Sequence, residues 1–347
     1  MSRPSLVLVG GFLGAGKTTL LLHAAKLLRQ RGLRAGIITN DQAGSLVDTR
    51  LAEGAGLPVE EVAGGCFCCR LSDFLASADR LLGAGLDVLF AEPVGSCTDI
   101  SATILQPVKH DHRSRYRLAP FTVLVDPERA ATPMDEDVAF LFRNQLAEAD
   151  VVLFSKADMY DSFPELPGGA MGAVSGRTGA GVAEWLDMVL APDAAAGTRI
   201  LNVDYARYAA AEAALGWLNL RARLKLKSPL TPSYVVGPLL EDLDTRLTAA
   251  GSHIVHLKVL AQGPTGYVRA GLVRNGDEPG VDGDLAASPA MDFDVVINLR
   301  ALASPDVLLD VVDGAVAGLP GHVSVEERTS FRPSPPQPEQ HFDRIVN

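Results

Sequence analysis

Cysteine is scarce in this chain, four in 347 residues, far too few for a disulfide-stapled scaffold. Basic residues are outnumbered as well. Lys and Arg total 31 against 42 Asp and Glu, a formal charge of −11 and the wrong sign for a general nucleic-acid binder. No uninterrupted apolar run reaches the roughly 18 residues of a membrane span, so no membrane partner is expected. A composition of 47% hydrophobic and 21% charged residues excludes a disordered, collagen-like or fibrous chain. There is no His-rich tract, which argues against storage of many metal ions. The opening MSRPSLVLVGGFLGAG places Arg3 before an apolar stretch, as a signal peptide does. The Gly-Lys-Thr that follows accounts for the same segment as a strand and loop, and the protein is read as cytoplasmic.

What is present is an alternation of short apolar runs and helical patterns from residue 5 to about 190. Residues 6–9, 35–38, 88–90, 122–125, 151–154 and 173–174 read as buried parallel strands, and 17–31, 72–82, 137–147 and 182–190 as helices. This order predicts an α/β fold, a doubly wound, mostly parallel sheet over residues 1–192. PDAAAG near 192–197 marks a linker (193–200), and 201–331 then reads βαβ(β)βαβ, a smaller α+β, ferredoxin-like domain with one extra strand. Its helices are placed at 239–250 and 305–317. Between Asp277 and Asp294 acids without bases suggest a solvated loop. Residues 332–347 form a Pro-rich tail, expected to be extended or disordered.

Gly11-Phe-Leu-Gly14-Ala15-Gly16-Lys17-Thr18 fits G-x-x-x-x-G-K-[ST] between a strand and a helix. Glycines let successive amides curl round phosphate oxygens, and the helix presents its positive end. Gly11, Gly14, Ala15, Gly16, Lys17, Thr18 and Thr19 are therefore the expected phosphate contacts, with the Thr18 hydroxyl a ligand for Mg²⁺. Ser155-Lys156-Ala157-Asp158 follows a strand at the spacing of N-K-x-D, in which the acid accepts from guanine N1–H and its amine. Lys156, Asp158 and the Ser175 of Val-Ser-Gly-Arg thus favour GTP over ATP. Glu92, ending the strand at 88–90, is expected to hold Mg²⁺ through water, and the Gly95 amide to sense the γ-phosphate. Asp41 is the second candidate acid for water or metal positioning, and Asp48 a weaker one. With Lys17, these make Asp41 and Glu92 the catalytic candidates.

The scarce cysteines are concentrated. Gly64-Gly65-Cys66-Phe67-Cys68-Cys69-Arg70 puts three thiols within four residues, a set suited as thiolates to Zn²⁺, Cu⁺ or a comparable metal. A helix starting near Leu71 would lower the Cys69 pKa. Cys97, two residues beyond Gly95, is either a fourth ligand, permanently or in one nucleotide state, or a small buried residue.

Taken together, GGFLGAGKTTL, ITNDQ, GGCFCCR, AEPVG and NQLAEADVVLFSKAD resemble the CobW family of metal-associated P-loop GTPases. The resemblance spans most of 5–190. It implies a GTPase that binds a transition metal (zinc, cobalt or iron) at the C-x-C-C thiols and delivers it to a client metalloprotein or corrinoid-pathway protein. The chain departs from the commoner family pattern at Asp41-Gln42, at Ser155 and at Pro93 to Cys97. The second half offers no catalytic constellation and is read as a client-binding or dimerising domain. A P-loop small-molecule kinase and a nucleotide- and metal-sensing module without essential hydrolysis are the rival readings.

Overall fold

The structure, a computed structural model, describes residues 3–42 and 47–346. They form two compact units, one of residues up to 42, 48–211 and 335 onward, the other chiefly of 212–334.

The first unit alternates strand and helix. Its elements are β1 (Ser5–Gly11), α1 (Lys17–Gln30), β2 (Ala35–Asn40), α2 (Val47–Gly54), β3 (Val59–Val62), α3 (Leu71–Gly83) and β4 (Val88–Glu92). Then come α4 (Gln106–Asp111), β5 (Arg117–Leu118), β6 (Thr122–Val125), α5 (Pro127–Ala131), α6 (Glu136–Glu148), β7 (Val151–Phe154), β8 (Gly172–Ala173) and α7 (Val182–Val189). All pairings are parallel, in the order β3-β2-β4-β1-β6-β7-β8, with β5 beside β1. Strands β1, β2, β4, β6 and β7 are buried at every position, as sheets covered on both faces require. β3 was not expected. Its Val-Glu-Glu-Val hides a strand among acids, and its place at the sheet edge tolerates them. Because the strands share one direction, the loops after β1, β2, β4 and β7 gather at one edge of the sheet.

Residues 193–200, expected as a linker, are tied into this unit instead. The Asp150 carboxylate accepts from the amides of Gly197 and Thr198 at 2.7 and 2.8 Å, and Gln106 Nε2 donates to Gly197 O at 3.0 Å. The division comes later, within α8 (Tyr205–Ala213).

The second unit is an antiparallel sheet of six strands: β9 (Gly216–Leu230), β10 (His253–Gly263), β11 (Gly266–Leu272), β12 (Gly280–Gly283), β13 (Ala290–Leu302) and β14 (Gly321–Phe331). Their order is β12-β11-β10-β13-β9-β14. Two strands therefore extend the ferredoxin-like βαββαβ core, one more than expected, because the acidic Asp277–Asp294 region includes β12 pairing with β11. Helices α9 (Pro232–Ala249) and α10 (Pro305–Ala317) supply Leu239, Leu243, Leu247, Leu308 and Val312 to a core that the even-numbered side chains of β9 also enter. α9 begins earlier than expected. Pro232 occupies its first turn, where no amide donor is needed, and Pro238 forgoes one hydrogen bond without ending the helix.

Candidate functional site

The loop from β1 into α1 has the strained backbone of a phosphate cradle. Gly11, Gly14 and Gly16 sit at φ of 130°, 83° and 83°. At Gly11 an added Cβ would fall 2.4 Å from Leu124 O, so no other residue fits. Lys17 Nζ is buried and donates to Gly11 O at 2.9 Å, folded across the loop that it would leave to reach a phosphate. The Thr18 hydroxyl lies 2.7 Å from Asp48 Oδ1 and 3.0 Å from Glu92 Oε1. A hydroxyl between two carboxylates is an oxygen-donor set suited to a hard divalent cation such as Mg²⁺. The carboxylate brought to Thr18 from the region after β2 is thus Asp48, ranked below Asp41 from sequence. Asp41 is buried just past β2, where its carboxylate accepts from the Gln42 amide at 2.6 Å.

On the base side, two loops lock together. Ser175 Oγ donates to Asp158 Oδ1 at 2.6 Å, and the Ala157 amide donates to Val174 O at 3.1 Å. Gly176 lies against the backbone of Thr19 and Leu20, with no room for a side chain. Lys156 has a left-handed φ of 55° and pairs with Asp126 Oδ2 at 2.6 Å. Sequence reading missed Asp126. Its signal was an Asp-Pro-Glu step at a strand end, and the side chain also caps α5 through the Glu128 amide. Ser155, in the place of an Asn, donates to Val125 O at 3.2 Å.

The thiol motif is fastened to the end of β2 by Asn40, also missed. Its amide donates to Val62 O and Gly65 O at 2.8 Å each, and its oxygen accepts from the Phe67 amide at 2.9 Å. Gly64, at φ 80°, permits the turn, and Cys69 N closes it on Cys66 O at 3.0 Å just before α3. The sulfurs of Cys66, Cys68 and Cys69 stand 2.7, 3.2 and 3.7 Å apart pairwise. A tetrahedral zinc site with Zn–S bonds of about 2.3 Å separates its sulfurs by about 3.8 Å, so a small opening of the trio fits it to a thiophilic ion. Hydrogen bonds with Cys68, Cys69 and Cys97 hold the Cys66 thiol well below its usual range. The expected lowering at Cys69 is reversed. Its bond to Cys66 pushes it up to about 11, and a separate bond between Cys66 and Cys68 raises Cys68 well above the usual thiol range. The lowering thus falls on Cys66, buried within the trio, rather than on Cys69 at the mouth of α3.

The expectation of a loose tail at 332–347 is corrected from residue 335 on, since that segment straps the thiol loop. Gln337 N donates to Cys69 Sγ at 3.1 Å and Glu339 N to Cys68 O at 3.0 Å. Glu339 Oε2 accepts from Ser72 N at 3.0 Å, capping α3. Further along, His341 Nε2 meets Asp99 Oδ2 at 3.1 Å, and Val346 N donates to Gln106 Oε1 at 2.8 Å.

Residues 5–166 match the family model described as CobW/HypB/UreG, nucleotide-binding domain. The chain is 32% identical over 166 residues to a zinc chaperone, YjiA, of Escherichia coli, covering 46% of this chain and 51% of that protein. It is 28% identical over 195 residues to a zinc chaperone, CobW, of Pseudomonas aeruginosa, covering 47% and 51%. The chain thus spans about half the length of these relatives. A crystal structure of HypB from Helicobacter pylori in complex with nickel aligns at a TM-score of 0.40 and 19% identity, over 54% of this chain and 86% of that one. No helix among the described residues is long and apolar enough to cross a membrane. By its phosphate loop, its thiol motif and these matches, the segment 5–166 of this chain is similar to the CobW/HypB/UreG nucleotide-binding domain.

Proposed function

We propose that this protein is a GTP-hydrolysing metallochaperone that carries a transition metal ion, zinc before cobalt or iron, on Cys66, Cys68 and Cys69 and passes it to a client metalloprotein or a corrinoid-pathway protein. The observation that supports this most is the convergence of those three sulfurs within 4.8 Å of one another, in the same compact unit as the phosphate loop. Amides of residues 14–19 and Lys17 would hold the phosphates, and Asp158, oriented by Ser175, would select guanine. Thr18, Asp48 and Glu92 would hold Mg²⁺, which when bound neutralises charge on the β- and γ-phosphate oxygens. The metal ion is cargo. It enters by exchanging its ligands for thiolates and leaves by the reverse exchange with client ligands. A client or a second copy of this chain is assigned to the antiparallel unit.

The test is anaerobic metal analysis of the purified protein, followed by GTPase rates with zinc, cobalt or iron. One equivalent of metal is expected, lost when Cys66, Cys68 and Cys69 are all changed to Ser. Protein that retains no metal through these thiols overturns the reading.

A further inference from the structure

Three thiolates are one ligand short of a closed tetrahedral site. Of the 335–346 strap, the Gln337 amide, Glu339 and His341 are engaged elsewhere. The Gln337 amide is a donor to Cys69, Glu339 caps α3 at Ser72, and His341 faces Asp99 together with the Tyr205 hydroxyl. Cys97 differs. Its thiol hydrogen-bonds Cys66 and is 3% exposed, yet its sulfur stands outside the set of three that lie mutually within 4.8 Å.

The segment that carries Cys97 begins beside the phosphate loop. Glu92 touches the Thr18 hydroxyl at 3.0 Å. Three residues on, Gly95 is pressed so closely on the phosphate loop that an added Cβ would lie 3.0 Å from Leu13 N. The buried Gln145 of α6 then clamps the rest. Its Nε2 donates to Gly95 O at 3.0 Å and to Cys97 O at 2.8 Å. One side chain therefore holds both carbonyls and ties Gly95 to Cys97. A shift of the Gly95 loop would therefore be passed to the Cys97 sulfur across two residues of chain.

From this geometry we infer that Cys97 is the fourth sulfur of the cargo site, a ligand brought to or withdrawn from Cys66, Cys68 and Cys69 by the loop that faces the nucleotide, with Gln145 as its positioning residue. The inference rests on the chaperone reading above and adds to it the coupling between nucleotide state and metal affinity. A ligand gained in one state and lost in the other makes affinity differ between the two, which is what linkage requires of a carrier that must both hold and release.

The test is anaerobic Co²⁺ titration of the parent, Cys97→Ser and Gln145→Met, each with GDP and with a non-hydrolysable GTP analogue. Sulfur-to-cobalt charge-transfer absorbance counts the thiolates. In the parent, affinity is expected to differ between the two nucleotides by about tenfold or more, the scale of losing one ligand or its support. Cys97→Ser should remove that difference and about a quarter of the charge-transfer intensity in the tighter state, one thiolate of four. Gln145→Met should retain the intensity and shrink the nucleotide dependence. If Cys97→Ser matches the parent in affinity and spectrum with both nucleotides, Cys97 is core packing and the inference falls alone. A parent that takes up no Co²⁺ at its thiols removes the chaperone reading and this inference with it.

Discussion

Asp158 receives the Ser175 hydroxyl on Oδ1, which fixes the carboxylate with its other oxygen free to turn to a base. An acceptor there suits the N1–H and amine of guanine, and a polar site built for one edge rejects the edge that leaves it unpaired. Asp158→Asn substitutes a donor, which suits the 2-oxo group of xanthine. GTP affinity should fall by at least about tenfold while a xanthine nucleotide gains, measured by competition binding. Glu148 is a second single-residue case. It is fully buried, and burial raises its carboxyl from 4.5 to about 8, although the Ser101 amide and Thr98 hydroxyl donate to it. The folded state keeps a proton that the unfolded chain releases. Its contribution to stability is therefore complete below about pH 4.5 and is lost as the pH rises through about 8. Glu148→Gln should flatten the fall in melting temperature between about pH 5 and pH 9; an unchanged slope would assign that fall to other groups.

At the scale of elements, the helices and strands around the nucleotide were legible because each carries its own signal. The buried runs of β1, β4, β6 and β7 and the Gly-Lys-Thr opening α1 need no partner to be recognised. β3 and the 335–346 strap were not. An edge strand with two acids and a Pro-rich stretch have no internal periodicity, and what orders them is a partner distant in sequence: β2 for the one, Cys68, Cys69 and Ser72 for the other. The strap makes a direct prediction. A chain ending at Ser334 should expose Cys69, and its alkylation should quicken by about ten- to thirtyfold, the equivalent of removing an opening cost of roughly 1.4–2 kcal/mol. Mass spectrometry of the modified peptide reads the rate. An unchanged rate would mean that the strap gives no protection.

For the whole molecule, two units with separate cores predict that nucleotide stabilises one of them. GDP at about a hundred times its dissociation constant should add about 2.7 kcal/mol to the first unit and nothing to the antiparallel one, seen in calorimetry as one transition moving past another. The linear order of residues by itself determined the parallel domain, the phosphate loop, Asp158 as the candidate base-reading acid and the thiol motif, because in each the chemistry lies within a few adjacent residues. Tertiary structure decided what depends on atoms meeting from far apart. It chose Asp48 as the acid at Thr18, anchored the thiol loop with Asn40, lowered Cys66 rather than Cys69 and tied down the segments at 193–200 and 335–346. Only there, too, did Cys97 meet Cys66, through a clamp from Gln145 that spacing along the chain does not reveal. Hydrogen bonds and burial depend on distance in space, and a sequence specifies that distance only once the chain has folded.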